Sequence, residues 1–169
     1  NAMSSDIDQV ISDGYTAAEA AIRYLYSLGH RRIGYIGETD DEVRYDSYCD
    51  TLRDLGLTYD PTLVCSCPIE KKGGFEGASR MLANAKKKPT AVFCANDITA
   101  IAVIQCFLQA GLKVPGDISV MGIDNIDVAQ YMNPMLTTVE VPKVELGKNA
   151  VRLLIDRIEN GKTIPMTIK

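Results

Sequence analysis

The sequence predicts an α/β fold built on doubly wound, mostly parallel sheets. Short runs of apolar and β-branched residues alternate with longer segments in which apolar residues recur at helical spacing. This alternation is typical of parallel strands joined by helical crossovers. Four of the helical segments are followed by a glycine, at the position where a left-handed C-cap favours it: Gly29, Gly56, Gly111 and Gly161.

The elements follow one another along the whole chain. Strands are predicted from short apolar runs at residues 10–12, 32–36, 63–66, 90–95, 118–122 and 137–141. The fourth run is rich in small and β-branched residues, which is typical of a parallel strand buried on both faces. Helices are predicted from apolar stripes at residues 15–28, 43–55, 75–85, 98–110 and 144–158. The fourth helix is apolar on nearly every side, so we expect it to be buried.

The composition fits a soluble globular protein. At 169 residues the chain is long enough for one well-buried domain or two small lobes. It is 46% hydrophobic and 24% charged, with a net charge of −4. An acidic chain without a face rich in lysine and arginine has no electrostatic footprint for DNA. The sequence contains neither a signal peptide nor an apolar run long enough to span a membrane.

The five cysteines are expected to be free thiols in a reducing cytosol. Cys94 and Cys106 lie within apolar runs, where cysteine resembles a small hydrophobic residue. Cys65 and Cys67 flank a single residue, which is not the Cys-x-x-Cys spacing of a zinc or redox site. We therefore expect a cytoplasmic protein with no bound metal and no cofactor.

Polar pairs follow two of the predicted strands. Asn96 and Asp97 come after the fourth strand, and Asp124 and Asn125 come after the fifth. Side chains just past the carboxyl ends of strands in an open α/β sheet face the ligand crevice. Because no nucleophile or metal cluster stands beside them, the pairs indicate that a small polar molecule is held rather than transformed.

Catalysis is not expected from the remaining motifs. His30 is the only histidine and stands beside Gly29 and two arginines, where a cation complements the C-terminus of a helix. The GGFEG run at residues 73–77 lacks the spacing and the lysine of a phosphate-binding loop. The sequence therefore shows no activated group that a doubly wound enzyme would need.

Five motifs, in order, resemble the effector-binding core of the LacI/GalR transcription repressors. They are LGHRRIGYIG at residues 28–37, TAVFCAND at 90–97, VPGDISVMGIDN at 114–125, P-x-LTTV at 134–139 and PKVELGKNAV at 142–151. The resemblance covers nearly the whole chain. It implies a two-lobed core of the periplasmic-binding-protein type, which in this family forms a dimer and follows a helix-turn-helix head that binds operator DNA.

The resemblance implies that only part of such a core is present. No segment of this sequence resembles the DNA-binding head, and residues 1–3 are expected to be the remnant of a tag. The resemblance implies an incomplete first lobe, formed by residues 4–37 and 136–160. It implies a second lobe formed by residues 38–135 and 161–169.

Asp124 and Asn96 are the first candidate contacts to the effector that the resemblance implies. Asp124 matches a strand-end aspartate that takes two sugar hydroxyls or the polar edge of a base, although aspartate is also a common turn residue. Asn96 matches the asparagine of an N-D pair, although asparagine and aspartate are both favoured helix N-caps. Of the pair, we expect Asp97 to be the cap.

Arg44 and Asp13 are further candidate contacts. Arg44 matches an arginine near the start of the second helix, and its planar fork suits a carboxylate, a phosphate or vicinal hydroxyls. Its alternative is a solvated residue among acidic neighbours. Asp13 matches a polar position before the first helix, where helix capping is the alternative.

The sequence departs from the family pattern in two places. Ser47, followed by Tyr48, stands where the family usually has glycine before an aromatic residue. Ile69, also a candidate ligand contact, falls near a position that often carries a stacking aromatic, and isoleucine has no π face. Either the ligand is small and aliphatic, or Tyr45 stacks on it from another side.

Together these features predict the effector-binding and dimerisation core of a LacI/GalR-type regulator, with a sugar or a nucleobase as effector. The expected partners are the effector, a second copy of the chain and, through the head, operator DNA, but no membrane. The alternative is an exported periplasmic-type sugar-binding protein for transport or sensing. Five unpaired cysteines and the LTTV motif argue against that alternative.

Overall fold

The computed structural model describes residues 7–84, 88–161 and 165–168. The chain divides into two compact units, one formed by Gly14–Glu140 and the other by the described parts of Asn1–Asp13 and Val141–Lys169. Each unit contains its own sheet, and all strand pairs in both sheets are parallel. The predicted α/β class with parallel sheets is therefore confirmed.

The larger unit is built on a five-stranded sheet with the strand order β3-β2-β4-β5-β6. Its strands are β2 (Ile33–Gly37), β3 (Val64–Ser66), β4 (Ala91–Cys94), β5 (Ser119–Asp124) and β6 (Thr137–Glu140). Every residue of β2 and β4 is buried. Burial on both faces explains why these strands are runs of apolar residues rather than alternating patterns.

Helices cover both faces of this sheet. They are α1 (Gly14–Ser27), α2 (Val43–Asp54), α3 (Lys71–Asn84) and α4 (Asp97–Gln109), with short 3₁₀ helices at Pro61–Leu63 and Asp127–Tyr131. The helices pack in two pairs, α1 with α2 and α3 with α4. From β2 to β3 the chain winds in one direction along the sheet, and from β3 to β4 and β5 it winds in the opposite direction. Because such crossovers are right-handed, α2 lies on one face of the sheet and α3 and α4 lie on the other.

Aromatic residues fill the core of the larger unit on the face of β2 that packs against α2. The ring of Tyr35 lies 5.8 Å from that of Phe93 on β4 and 5.3 Å from that of Tyr48 on α2, measured between centroids. All three side chains are fully buried. The Tyr48 hydroxyl donates a 2.8 Å hydrogen bond to the carbonyl of Ile33, so its one polar group is satisfied inside the core.

The smaller unit consists of a two-stranded sheet and one helix. Strands β1 (Gln9–Val10) and β7 (Thr167–Ile168) pair in parallel, and α5 (Lys143–Asn160) packs on β1. Asp8 accepts hydrogen bonds from Arg157 Nε at 2.7 Å and from the backbone N–H of Met166 at 2.9 Å. Several apolar side chains of α5 are exposed: Val144, Val151, Leu154, Ile155 and Ile158.

The helix ends agree with the sequence. Gly29, Gly56, Gly111 and Gly161 have φ angles of 93°, 65°, 80° and 58°, so the predicted left-handed caps are confirmed. The boundaries of the helices differ from the predicted ones by a few residues, as fraying ends allow. None of the helices in the described part of the chain combines the length and the apolar character needed to cross a membrane.

The predicted lobe boundaries are wrong. Strands β2 and β6 were expected in the first lobe, but β2 pairs with β3 and β4, and β6 pairs with β5, within the sheet of the larger unit. Helix α1 packs on α2 in the same unit. The C-terminal segment was expected in the second lobe, but its strand β7 pairs with β1. An alternation of strands and helices does not show which sheet a strand joins, and residues 1–3 lie outside the described residues.

Candidate functional site

The carboxyl ends of the five parallel strands form one edge of the larger sheet. The switch in winding direction lies between β2 and β4, because β3 is on one side of β2 and β4 is on the other. A crevice at the carboxyl ends of strands on either side of such a switch is where open α/β sheets bind ligands. The segments that follow β2 and β4 therefore form the centre of the candidate site.

Arg44 is held at this edge by Glu42. The guanidinium donates from Nε to Glu42 Oε1 at 2.7 Å and from its NH2 group to Oε2 at 2.9 Å. Glu42 Oε1 also accepts the backbone N–H of Arg44 at 3.0 Å, so Glu42 is the N-cap of α2. The Arg44 NH1 group donates to the carbonyl of Ala95, just past β4, at 2.9 Å. Arg44 thus bridges the two segments beside the switch point.

The charges of this pair stabilise each other. The hydrogen bond to Glu42 raises the pKa of Arg44 against the opposing effect of burial, and the nearby Asp124 carboxylate raises it further. Burial alone would raise the pKa of Glu42, but hydrogen bonds from the side chain and backbone of Arg44 lower it overall. Both groups are therefore ionised at neutral pH.

Asp124 ends β5 at the same edge and lies within electrostatic range of Arg44. Its φ angle of 118° falls in the region that glycine favours, so the backbone is strained there. Strained residues often occur at functional sites. The structure thus places two of the predicted ligand contacts, an arginine fork and a carboxylate, at the same edge of the sheet.

The Asn96–Asp97 pair differs from the prediction in which of the two residues caps α4, and the role of Asn96 as a ligand contact stays a prediction. The Asn96 side chain accepts a 2.9 Å hydrogen bond from the backbone N–H of Thr99, so Asn96 is the N-cap of α4. Asp97 is fully buried, and its Oδ1 accepts from the Thr138 hydroxyl at 2.6 Å while Oδ2 accepts from the N–H of Ile126 at 2.9 Å. The expectation that Asp97 is the cap is wrong, because its carboxylate is used by β6 and by the segment after β5.

The other predicted contacts differ in position. Ile69 is half-buried between β3 and α3, on the carboxyl side of the sheet. Asp13 belongs to the smaller unit and immediately precedes Gly14, the first residue of α1. As ligand contacts, both residues stay predictions.

The aromatic neighbours of Arg44 are engaged within the protein. Tyr45 packs on Tyr35 at 5.2 Å and stacks on Tyr48 at 6.1 Å between centroids, and its hydroxyl lies 2.9 Å from that of Tyr59. Ser47, where the family usually has glycine, is fully buried and donates a 2.7 Å hydrogen bond to the carbonyl of Tyr15. The serine side chain therefore ties α2 to α1.

His30 has a structural position at the opposite edge of the sheet. Its Nδ1 lies 3.0 Å from Thr90 Oγ1, just before β4 begins. Burial lowers the pKa of His30, which favours the neutral ring. At the end of α1, Arg31 is the cation that complements the helix C-terminus, because it donates to the carbonyl of Tyr26 at 2.8 Å, and His30 has the structural role that the sequence indicates.

The thiols are unreactive in character. All five cysteines are free, and four of them are buried. Burial raises the pKa of Cys67 to about 11 and that of Cys94 well above its usual value, so neither is a thiolate at neutral pH. In the described ranges, no three histidine, cysteine, aspartate or glutamate side chains come together to hold a metal ion.

This chain belongs to the family of periplasmic binding protein-like domains, whose match extends over residues 22–169. Among curated proteins it is similar to the HTH-type transcriptional repressor CytR of Escherichia coli strain K12. The two are 36% identical over 158 residues, which is 91% of this chain and 46% of the repressor. The chain therefore spans about half the length of the curated relatives it matches.

Solved structures show the same similarity. The transcriptional regulator CelR in complex with cellobiose matches with a TM-score of 0.89 and 30% identity, over 97% of this chain and 51% of that one. A LacI family transcriptional regulator from Enterococcus faecium with bound ribose matches with a TM-score of 0.88 and 28% identity, over 98% and 62%. The predicted resemblance to LacI-family regulators is confirmed by these matches.

Proposed function

We propose that this chain is the effector-binding core of a cytoplasmic LacI/GalR-type transcriptional regulator, not an enzyme, and that its effector is a sugar or a nucleobase. The observation that carries the proposal is that Arg44 and Asp124 lie at the same carboxyl edge of the sheet and within electrostatic range of each other. A guanidinium donates hydrogen bonds and a carboxylate accepts them, so the two together match vicinal hydroxyls or a base edge. Two of the similar solved structures contain cellobiose or ribose, which supports a sugar as the effector.

The regulatory mechanism is a shift between conformations of the intact protein. An effector that binds one conformation more tightly than the other changes the affinity for operator DNA, and operator DNA changes the affinity for the effector by the same factor. DNA binding belongs to a head that no segment of this sequence resembles. Four buried free thiols and relatives that are named as repressors favour this function over an exported binding protein.

The proposed dimer uses an exposed apolar stripe on α4. Ile98 and Leu108 are 43% and 47% exposed, and Ile101 on the same side of the helix is partly buried. The residues on the opposite side of α4 lie in the core. In a dimer with a two-fold axis, the α4 stripe of one copy would pack against the α4 stripe of the other.

A thermal-shift screen of the full-length protein tests the effector proposal. Sugars, sugar phosphates and nucleobases are added singly, because stabilisation by a ligand follows mass action and requires no earlier knowledge of the ligand. The expected result is that a sugar or a nucleobase raises the melting temperature, and that this gain is lost in Arg44→Ala. Stabilisation by none of these compounds would count against the proposed function.

A further inference from the structure

We infer that Glu42 determines which class of effector binds. By neutralising the charge of Arg44, Glu42 makes the crevice select uncharged effectors that bear hydroxyls and reject phosphorylated or carboxylated effectors. This inference rests on the proposed function and specifies the class of ligand. It depends on the geometry of one ion pair and on the charges of the segments around it.

The first argument is the occupancy of the guanidinium. An arginine side chain has five N–H donors. Glu42 takes one from Nε and one from NH2, and the Ala95 carbonyl takes one from NH1. Two donors remain for a ligand, and the edge formed by Nε and NH2, which binds carboxylates in a bidentate manner, already holds a carboxylate. Arg44 can therefore donate to a hydroxyl, but the one edge that includes Nε is filled by the carboxylate of Glu42.

The second argument is the fixed position of Glu42. Its side chain is only 11% exposed and that of Arg44 is 23% exposed. Glu42 also caps α2 through the N–H of Arg44, so its carboxylate is fixed from two directions. An incoming anion would have to displace a partly buried carboxylate that already has its hydrogen bonds.

The third argument is the charge of the surrounding edge. The segment at residues 37–46 contains five carboxylates and one cation, Arg44. Asp124 adds another carboxylate within electrostatic range of Arg44. Lys71 and Lys72, on the segment that follows β3, are exposed at the start of α3, where water screens their charges. A phosphate at Arg44 would meet more negative charge than positive charge.

An uncharged polyol fits the same surroundings. Each hydroxyl can accept a hydrogen bond from a remaining N–H of Arg44 and can donate one to a carboxylate such as Asp124. The doubly ionised phosphate of a sugar phosphate offers only acceptors, so it cannot satisfy a carboxylate. The ligand class that follows is an uncharged sugar or nucleoside with adjacent hydroxyls.

Inorganic phosphate is the first probe, used on the full-length protein. The melting temperature in phosphate is compared with that in potassium chloride at the same ionic strength. For wild type, phosphate is expected to give no thermal stabilisation that depends on Arg44. Glu42→Gln keeps an oxygen to cap α2 but removes the charge, so phosphate is expected to bind about tenfold or more tightly. The gain is expected to disappear in Glu42→Gln/Arg44→Gln. The matched control is Asp46→Asn, which removes an exposed carboxylate of the same segment and is expected to gain nothing.

Paired ligands are the second probe. Ribose with ribose 5-phosphate, glucose with glucose 6-phosphate, and adenosine with its monophosphate are compared by calorimetry. In any pair that binds, wild type is expected to prefer the uncharged member, and Glu42→Gln is expected to reduce that preference. A phosphorylated member that binds wild type more tightly would overturn the inference and leave the proposed function standing. If no pair binds, the wider thermal-shift screen decides the proposed function, while the phosphate experiment decides the role of Glu42: Arg44-dependent phosphate binding to wild type would overturn that role.

Discussion

Thr138 on β6 donates a 2.6 Å hydrogen bond to the carboxylate of Asp97, the first residue of α4. The same hydroxyl lies 3.3 Å from the backbone N–H of Asn125, which donates to it, and the other oxygen of Asp97 accepts from the N–H of Ile126. The two residues that follow Asp124 are therefore anchored to β6 and α4. The position of the proposed ligand carboxylate depends on a buried aspartate that does not itself need to touch the ligand.

Replacing Asp97 tests this anchoring. Asp97→Ala is expected to lower the free energy of unfolding by roughly 2–4 kcal/mol, because a partly buried hydroxyl and a backbone N–H lose a charged acceptor. Asp97→Asn keeps one acceptor oxygen and is expected to cost less. Urea unfolding measures both, with Asp127→Ala as the control at an exposed carboxylate. Equal midpoints for Asp97→Ala and the control would show that the network contributes nothing to stability.

The secondary structure was predictable because its signals are local. Burial of β2 and β4 on both faces requires apolar runs. Helix ends in the left-handed conformation require glycine, as at Gly56 and Gly111. Membership of a sheet was not predictable, because the pairing of β1 with β7 joins the two ends of the chain and leaves no local signal.

Part of the candidate site was also predictable, because its signals are local in the sequence. Arg44 and Asp124 follow strands in the sequence, and the carboxyl ends of parallel strands meet at one edge. Glu42 is not singled out by the sequence, since only the three-dimensional structure shows its bidentate contact with Arg44. Asp97 is separated from Thr138 by 41 residues, so its buried acceptor role has no local signature.

Asp124 combines a proposed ligand contact with a strained backbone, and two substitutions separate these effects. Asp124→Gly removes the carboxylate but suits a φ of 118°, whereas Asp124→Ala removes it and keeps the strain. Both are expected to weaken effector binding to the full-length protein by about 1.5–3 kcal/mol. Calorimetry measures the affinity, and thermal melting without ligand is expected to show Asp124→Gly as the more stable variant. Unchanged affinity in both would make Asp124 a turn residue only.

The ion pair of Glu42 and Arg44 gives stability a defined pH dependence. The pKa of Glu42 in the folded protein lies below its ordinary value of 4.5, so its contribution is fully present above that value and is lost as the pH falls through the lower folded pKa. Glu42→Gln is expected to lower stability by about 1–2 kcal/mol at pH 7 and by less below pH 4.5. Urea midpoints at several pH values measure the difference. In an Arg44→Gln background, burial is expected to raise the pKa of Glu42, so the sign of the pH dependence is expected to reverse and Glu42→Gln is expected to cost least at pH 7.

The apolar stripe on α4 is tested by charge. Leu108→Glu is expected to convert a dimer of the full-length protein to monomer, because a carboxylate in an apolar interface loses its hydration. The fold of the single chain is expected to tolerate the change, because Leu108 is 47% exposed. Analytical ultracentrifugation measures the mass, and Leu28→Glu, at a residue 58% exposed, is the matched control. Dissociation by the control and not by Leu108→Glu would place the interface elsewhere.

Two glycine-to-alanine substitutions with opposite expected signs test the packing beside Asp97. A Cβ on Gly122 would clash with the Asp97 carboxylate and lie 3.3 Å from the Ala100 side chain, so Gly122→Ala is expected to cost about 1–3 kcal/mol by forcing the network apart. Gly147, within α5, has open space around the position of its Cβ, and Gly147→Ala is expected to stabilise its helix by about 0.5–1 kcal/mol. Urea unfolding of both variants measures the signs. A neutral Gly122→Ala would mean that Asp97 can move without loss, and the anchoring of the segment after β5 would then have to come from other contacts.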